Sequence, residues 1–569
     1  MISAHLDRAR LKNIFEFNTA TFLLGSCMFA TGATGLVLEY IQGTVGTYIL
    51  GNSIEQYSIV IGLMLFMMGI AAKVQKYFTD ELLFEKFILI EISLAIIGGY
   101  APIATYWSYS LMENFMLVQY FFIMSIGFLI GLEIPVVMRI NARYSKKLSL
   151  NIEQVFSADY IGSLVGSLLW VYVLLKKFPL TEISFILAGV NFGIAVITYT
   201  YFRNQELISK KFTIRALILI TAISLIIGFK YNREWNIKLE QKLYDDPILF
   251  SKTTPYQHLV MTQNKALEEF RFYINGNLQF SSFDEERYHE LLVHPVMTLV
   301  PNHRRVLILG GGDGLALREI LKYTSVDEVL LVDLDPEMTK LGANNPVMRK
   351  LNIGAFDDAR VTIMTADGIT LGEYQPIFKE TGEITKKTRL PATEKVASVR
   401  VINIDADKFL SKVRGKWNII VIDLPDPSSV ELVKLYSKEF YHKVHRVLSE
   451  QGMMVVQATS PYHAKESYLC IKRTLEAARF HTLPYHENVP SFGDWGWLMG
   501  WKNTMAKDNL GTRIQSMTIH VPTRYLSPEV FRRAMVFGKS ELDSTNTQVN
   551  TLMFPVLLNH YLKESWLAE

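Results

Sequence analysis

The chain has 569 residues, which is too long for one ordinary domain, and 49% of them are hydrophobic whereas only 20% are charged. A net charge of +3 favours no anionic partner, and we expect no nucleic acid. The two cysteines, Cys27 and Cys470, are far apart, and Cys27 lies in an apolar run. This pattern argues against a disulfide framework or a cysteine metal site.

The apolar excess is concentrated in residues 1–230, and the mean hydropathy of the whole chain is +0.17. This part contains seven apolar runs near the roughly 20 residues that a helix needs to cross a bilayer. Seven such runs in a row, joined by short polar links, disfavour the buried helices of a soluble protein. We therefore predict a multi-pass domain in the cell (inner) membrane. The predicted spans lie near residues 19–41, 56–74, 83–106, 115–138, 157–175, 182–202 and 213–230.

Three acids, Glu39, Glu133 and Asp159, lie in or near the predicted spans. Acids in lipid usually face a partner or a polar path. The segments 32–40 and 126–135 share a loose glycine and glutamate pattern, which is compatible with an internal repeat of the kind found in transporters. A helix-packing acid near the end of a span is the interpretation that we favour.

The next segment, residues 231–300, alternates apolar and polar residues around the turn Asn275-Gly276. Such alternation around an Asn-Gly pair is typical of a β-hairpin. We predict a small β-rich substrate-binding domain with an antiparallel sheet, followed by a helix from about Asp284.

A strand–turn–helix unit begins the next domain. Val306–Leu309 reads as a buried strand, Gly310–Gly314 as a glycine-rich turn, and Leu315–Tyr323 as a helix. A second apolar run then ends in Asp333, which is the order of a nucleotide-binding α/β sheet. Asp313 inside the turn would repel the pyrophosphate of a dinucleotide. It suits a ligand with a cationic group, such as a sulfonium nucleoside of the S-adenosylmethionine type.

The α/β rhythm continues to about residue 505, so we predict a Rossmann-like, methyltransferase-type catalytic domain over 301–505. A polar insertion, 368–398, interrupts it, and a C-terminal extension of unassigned role covers 506–569. The carboxyl ends of parallel strands meet at one edge of a sheet. The acids predicted there are Asp313, Asp333, Asp405, Asp423 and Asp426. So many carboxylates in one crevice indicate cationic ligands, and a sulfonium nucleoside with a diamine would satisfy them.

Four motifs resemble the spermidine synthase family of polyamine aminopropyltransferases: GGGDG (310–314), Asp405-Ala406 ahead of Phe409-Leu410, IDLPDP (422–427) and QFSSFDEERYHE (279–290). The apolar runs resemble those of its membrane-bound bacterial members. The family implies transfer of an aminopropyl group from decarboxylated S-adenosylmethionine to putrescine or a related diamine, giving spermidine and methylthioadenosine. It also implies no permanently bound cofactor, no metal, and a homodimer or larger assembly.

The resemblance also assigns a donor site. Its residues are Gln257, Gly310, Gly312, Asp313, Asp333, Asp405 and Ala406. Asp333 would accept the ribose hydroxyls, and Asp405-Ala406 would meet the adenine, with Asp367 as the alternative adenine acid. Asp313 would bind the aminopropyl ammonium and would repel the carboxylate of ordinary S-adenosylmethionine.

The acceptor site implied by the resemblance lies beside the donor. Tyr288, His289 and Phe492 would line the amine channel, and Phe492 replaces a tyrosine that many relatives have there. Asp426 would anchor one amine of the acceptor. Asp423 would be the general base that takes a proton from the attacking ammonium. The loop 424–435 is predicted to act as a lid.

Two other functions fit parts of the sequence. One is a polyamine transporter or sensor with a nucleotide-binding regulatory domain, and the other is a methyltransferase acting on a membrane substrate. The complete set of acids disfavours the first, and Asp313 disfavours the second. Loop charges place the N-terminus in the cytoplasm, so seven spans would put the catalytic domain outside. Because the donor is expected in the cytosol, we predict a cytoplasmic catalytic domain against those charges.

Overall fold

The computed structural model describes residues 19–50, 53–111, 114–144, 147–358, 361–364, 398–502 and 507–564. Asp367 and nearly all of the predicted insertion 368–398 lie outside these ranges. The chain divides into two compact units, Met1–Ile248 and Leu249–Glu569.

Over its described residues, the first unit contains seven long helices, as the hydropathy predicts. They are α1 (Thr19–Leu50), α2 (Ser53–Val74), α3 (Leu83–Tyr109), α4 (Phe115–Asn141), α5 (Leu148–Leu169), α6 (Leu180–Asn204) and α7 (Lys211–Gln241). Helix α5 continues through a π-helical turn, Trp170–Leu174. All seven are long and apolar enough to cross a membrane.

Glycines allow close approach between these helices. A Cβ on Gly131 of α4 would lie 2.5 Å from Cα of Met68 in α2, and one on Gly162 of α5 would lie 1.9 Å from the carbonyl oxygen of Phe29 in α1. Backbones this close leave no room for a side chain, which is the packing that small residues favour between membrane helices.

The end of α7 differs from the sequence expectation. The helix continues to Gln241, whereas the hydropathy pattern ends the last span at 230 and starts a β-rich domain at 231. Residues 231–241 include Glu234, Lys238 and Glu240, which lower the hydropathy but are good helix formers. The first strand therefore begins only at Ile248.

The second unit begins with a four-stranded sheet in the order β1-β2-β3-β4. The strands are β1 (Ile248–Thr253), β2 (His258–Asn264), β3 (Glu269–Ile274) and β4 (Asn277–Ser281). The predicted hairpin turn joins β3 and β4, where Asn275 and Gly276 both have positive φ angles, +50° and +80°. This backbone suits Asn-Gly and fixes the antiparallel register that pairs Ile274 with Asn277. Helix α8 (Glu285–Leu299) follows.

In the described parts of the chain, the main sheet has eight strands in the order β11-β12-β10-β9-β5-β6-β8-β7. They are β5 (Arg305–Gly310), β6 (Glu328–Asp333), β7 (Val361–Met364), β8 (Ser398–Asn403), β9 (Trp417–Asp423), β10 (Leu448–Gln457), β11 (His481–Val489) and β12 (Gly493–Trp501). Strands β5 to β10 run parallel, and the β11–β12 hairpin joins β10 antiparallel. This is the predicted Rossmann-like architecture.

Helices surround this sheet. They are α9 (Leu315–Leu321), α10 (Pro336–Asn344), α11 (Pro346–Leu351), α12 (Ala406–Lys412), α13 (Val430–Val433), α14 (Lys438–Val447), α15 (Lys465–Ala477), α16 (Lys507–Gln515), α17 (Pro528–Ala534) and α18 (Val556–Glu564). In β5, Val306 and Ile308 join the core on one face, and Leu307 and Leu309 join the core on the other. Because both faces are covered, the parallel strands are continuously apolar.

The C-terminal extension is part of this second unit. The carboxylate of Glu290 accepts hydrogen bonds from the backbone N–H groups of Arg524, Tyr525 and Leu526, at 2.6, 2.9 and 2.8 Å. Phe531 of α17 is fully buried in the core that includes α8. Around residues 524–531, the extension therefore packs onto α8 and the core beside it.

Candidate active site

The glycine turn after β5 lies directly against the end of β9. Gly310 has a φ of +87°, and a Cβ there would lie 1.9 Å from the carbonyl oxygen of Asp423. The next residue, Gly311, donates its N–H to that oxygen at 3.2 Å. Only glycine fits at position 310, and its absence of a side chain brings the predicted base beside the turn.

Asp333 closes the other side of the turn. Its Oδ2 accepts the N–H of Gly312 at 3.0 Å, and its Oδ1 accepts the N–H of Asp335 at 2.8 Å. A Cβ on Gly312 would lie 2.6 Å from Asp333 Oδ2. Burial raises the pKa of Asp333 to about 7. Each oxygen keeps a lone pair, so the carboxylate can still accept two hydroxyls of one ribose.

Gln257 is linked to Asp333 through Asp335, a residue that sequence reasoning did not assign to the site. Its Nε2 donates to Oδ2 of Asp335 at 3.0 Å, and Thr254 Oγ1 donates to the same oxygen at 2.8 Å. Asp335 also caps α10 by accepting the N–H of Glu337 at 3.0 Å. The pair Asp335-Pro336 is a helix-start signal that could have identified the cap.

Asp405 follows β8 next to β6, because the N–H of Ile404 donates to the carbonyl oxygen of Asp333 at 2.9 Å. Oδ1 of Asp405 caps α12 through the N–H of Lys408 at 2.9 Å, and Oδ2 pairs with Nζ of Lys434 at 2.8 Å. Burial is the largest single influence and favours the neutral carboxyl, but the hydrogen bonds from Lys434 and from the N–H of Lys408, together with the charges of both lysines, lower the pKa of Asp405. Ala406 is buried, and Lys434 was not anticipated from the sequence.

Three predicted residues, His289, Asp313 and Asp423, converge so that one ring nitrogen or carboxylate oxygen of each lies within 4.8 Å of the others. Oδ1 of Asp313 accepts the N–H of Leu315 at 2.7 Å. Burial, together with the charge of Asp423, raises the pKa of Asp313 to about 6. Burial also raises the pKa of Asp423, whereas the neighbouring His289 opposes that rise.

Tyr288 and Phe492 form an aromatic wall beside Asp423. The buried Tyr288 donates its hydroxyl to Oδ1 of Asp423 at 2.8 Å. The rings of Tyr288 and Phe492 are 6.2 Å apart, and Phe492 lies 4.9 Å from Trp495. Of the predicted channel residues, Tyr288 therefore borders the carboxyl end of β9, and Phe492 packs against the ring of Tyr288.

His289 carries a positive charge at neutral pH. Burial would lower its pKa, but Nδ1 lies 2.9 Å from Oε2 of Glu285, and this interaction raises the pKa to about 9. A doubly protonated imidazole has no lone pair to offer a metal. The three-residue cluster with Asp313 and Asp423 is thus better suited to offsetting carboxylate charge than to coordinating an ion.

A ladder of alternating charges holds His289 in place. Glu285 pairs with Arg318 at 2.6 Å, Arg318 with Glu319 at 2.7 Å, and Glu319 with Lys322 at 2.5 Å. All of these side chains are less than one-fifth exposed. This charge ladder, from His289 through Glu285, Arg318 and Glu319 to Lys322, links α8 to α9. No sequence motif predicted it.

Asp426 lies beyond the end of β9 with a different set of partners. Its Oδ1 accepts from Nε2 of Gln457 at 3.2 Å, and its Oδ2 accepts from the hydroxyl of Tyr561 at 2.8 Å. Burial raises its pKa to about 6, although both donors work against that rise. Gln457 ends β10 and follows the strand-end rule, but nothing in the sequence singled out Tyr561.

Comparison with known proteins gives a consistent result. The spermine/spermidine synthase domain family matches residues 285–376 and 385–511. A polyamine aminopropyltransferase 2 of Ralstonia nicotianae is 36% identical over 554 residues, covering 96% of this chain and 99% of that protein. A polyamine aminopropyltransferase of Leptospira interrogans is 37% identical over 465 residues, covering 82% and 84%. A crystal structure of spermidine synthase with the transition-state analogue AdoDATO aligns with a TM-score of 0.42 and 22% identity, covering 52% and 88%.

Proposed function

Because the chain belongs to the family of polyamine aminopropyltransferases, we infer that it is a transferase that moves an aminopropyl group onto an amine. We propose that the donor is decarboxylated S-adenosylmethionine and that the acceptor is putrescine. The products are then spermidine and methylthioadenosine. The observation that carries the proposal is the convergence of His289, Asp313 and Asp423 beside the glycine turn.

The donor half of the proposal rests on Asp313 and Asp333. Asp333 offers one lone pair on each oxygen to the ribose diol. The carboxylate of Asp313 lies within the glycine turn, beside His289 and Asp423, and in this proposal it attracts the aminopropyl ammonium but repels a carboxylate. Asp405-Ala406 and Gln257 complete the nucleoside site in this proposal, with Lys434 holding the carboxylate of Asp405 in its ionised form.

The reaction needs one base. The acceptor amine arrives as an ammonium, and Asp423 takes its proton. The freed nitrogen attacks the carbon beside the sulfonium, a C–N bond forms, and the electron pair of the broken C–S bond stays on sulfur. The leaving thioether is neutral and needs no acid.

The geometry around Asp423 supports this role. Tyr288 occupies Oδ1, whereas a Cβ on Gly311 would lie only 3.3 Å from Oδ2, so Oδ2 faces the glycine turn and the proposed donor. Burial raises the pKa of Asp423, which makes its carboxylate a stronger base than one in water. The charge of His289 offsets the repulsion between Asp423 and Asp313 before substrate binds.

Purified full-length protein in detergent tests the proposal directly. With decarboxylated S-adenosylmethionine and putrescine, we expect spermidine and methylthioadenosine in equal amounts. Asp423→Asn should keep its thermal unfolding midpoint and lose about 10²- to 10⁴-fold in kcat, the usual contribution of a general base. An active Asp423→Asn enzyme would overturn the mechanism.

Two outcomes would favour the other functions. Methyl transfer from ordinary S-adenosylmethionine would indicate a methyltransferase, and polyamine uptake into vesicles without any aminopropyl transfer would indicate a transporter or sensor.

We also propose that the seven apolar helices cross the cell membrane and that the catalytic unit faces the cytoplasm. Helix length and hydropathy support the first statement. The cytosolic origin expected for the donor supports the second, against the loop charges. A homodimer or larger assembly is expected from the family resemblance.

A further inference from the structure

The last helix, α18, places a tyrosine against the proposed acceptor-binding carboxylate. Tyr561 is only 7% exposed, and its hydroxyl donates to Oδ2 of Asp426 at 2.8 Å. Gln457 donates to Oδ1 at 3.2 Å. Neither donor carries a charge, so the carboxylate keeps its own negative charge for a cationic ligand. Each oxygen also keeps a lone pair.

Helix α18 is fixed at both ends. Near its start, the N–H of Leu557 donates to Oδ1 of the fully buried Asn550 at 3.4 Å. At its end, Oε2 of Glu564 accepts the N–H groups of Glu466 and Ser467 at 3.1 and 3.2 Å. These N–H groups lie at the positive end of the α15 dipole, which favours a carboxylate there. Tyr561 is therefore held by a rigid element.

The same segment also holds the loop that carries Asp426. Nδ2 of Asn550 donates to the carbonyl oxygen of Val433 at 3.0 Å, and the carbonyl oxygen of Asn550 accepts the N–H of Lys438 at 2.9 Å. Val433 ends the short helix α13, which lies within the segment 424–435 that the sequence predicts to be a loop acting as a lid. The C-terminal segment thus fixes both the carboxylate of Asp426 and the far end of its loop.

We propose that Tyr561 is a positioning residue for the acceptor amine and that it acts through Asp426. The proposal rests on the function proposed above, in which Asp426 binds the ammonium remote from the attacking nitrogen. A hydroxyl bonded to one oxygen restricts rotation of the carboxylate, so the remaining lone pairs point at one place. A diamine gains from this arrangement, whereas a monoamine of the same chain length has no remote ammonium and gains nothing.

A purely structural tyrosine would behave differently. If the hydroxyl only satisfied a buried carboxylate, its loss would lower the unfolding midpoint and leave substrate preference unchanged. The discriminating readouts are therefore the separation of KM from kcat and the ratio of diamine to monoamine turnover.

The test uses full-length Tyr561→Phe, which keeps the ring and loses only the hydroxyl. We expect the KM for putrescine to rise about tenfold, the scale of one hydrogen bond to a charged group. Both kcat and the KM for the donor should stay within about twofold. Turnover of butylamine should be unchanged. In an Asp426→Asn background, Tyr561→Phe should have no further effect, because the two changes remove the same interaction.

Tyr199→Phe is the matched control, since its buried hydroxyl lies in the first unit and accepts from Nε of Arg215 at 2.7 Å. It should lower the unfolding midpoint without changing the KM for putrescine. An unchanged putrescine KM in Tyr561→Phe, or equal losses with putrescine and butylamine, would overturn the proposal. Calorimetric binding of putrescine is measured alongside turnover. A wild-type enzyme that binds putrescine without transferring to it would refute the proposed function while still testing Tyr561.

Discussion

Replacing Tyr288 by phenylalanine tests the base most directly. The change keeps the ring and removes the 2.8 Å hydrogen bond to Oδ1 of Asp423. That bond stabilises the ionised carboxylate, so its loss raises the pKa of Asp423. A hydrogen bond to a charged group contributes about 1.5–3 kcal/mol, and one pKa unit corresponds to about 1.4 kcal/mol. Loss of the whole bond would therefore raise the pKa of Asp423 by about one to two units. Because Asp423 is half-buried and water can replace part of the bond, we expect about one unit.

The assay measures kcat from pH 5 to pH 10 with both substrates at saturating concentration. Turnover is monitored by the release of methylthioadenosine. A base must be ionised to accept a proton, so activity falls as the pH drops through the pKa of the base in the substrate complex. In Tyr288→Phe the acidic limb should move to higher pH by about one unit, with a much smaller change in the plateau. Tyr199→Phe, which removes a hydroxyl in the first unit, should leave the limb in place. A limb in Tyr288→Phe that stays put, or that moves to lower pH, would refute the assignment of Asp423 as the titrating base.

Two further predictions concern the donor and the membrane. Asp313→Asn should lose about 10- to 100-fold in kcat/KM for decarboxylated S-adenosylmethionine, the scale of one charged hydrogen bond. It should lose little for any residual turnover of ordinary S-adenosylmethionine, and equal losses for the two donors in a competition assay would contradict a selecting role for Asp313. Protease added outside intact spheroplasts should leave residues 249–569 uncut until the membrane is permeabilised. Cleavage before permeabilisation would place the catalytic unit outside.

Much of the catalytic unit follows from local pattern. The apolar run of β5, the glycine turn and the acid at the end of β6 define a strand–turn–helix–strand unit, and parallel strands bring their carboxyl ends to one edge. This is why Asp333 and Asp423 could be expected near Gly310. The hairpin at Asn275-Gly276 is similarly local, because its backbone requires two residues that tolerate positive φ.

The rest depends on packing that no local pattern encodes. Tyr561 and Asp426 are 135 residues apart in the chain, and Lys434 meets Asp405 across 29 residues. Neither contact has a spacing that a helix or strand period would reveal. The extension of α7 to Gln241 was missed for a different reason, since hydropathy reports where a helix is apolar and not where it ends.

The charge ladder from Lys322 to His289 has a consequence for how this site can change. Each inner member pairs with two charges of opposite sign in a region with little water, so replacing one of them deprives two buried charges of a partner. Loss of one partner from a buried pair typically costs about 3–5 kcal/mol. Replacing the whole set by apolar residues costs less stability, but it removes the ion pairs between α8 and α9 that hold Tyr288 and His289 in position. Substitutions at these positions are therefore tolerated only in coordinated sets. A variant that kept all five predicted site acids but lost one member of the charge ladder would lose folding stability before it lost catalytic groups.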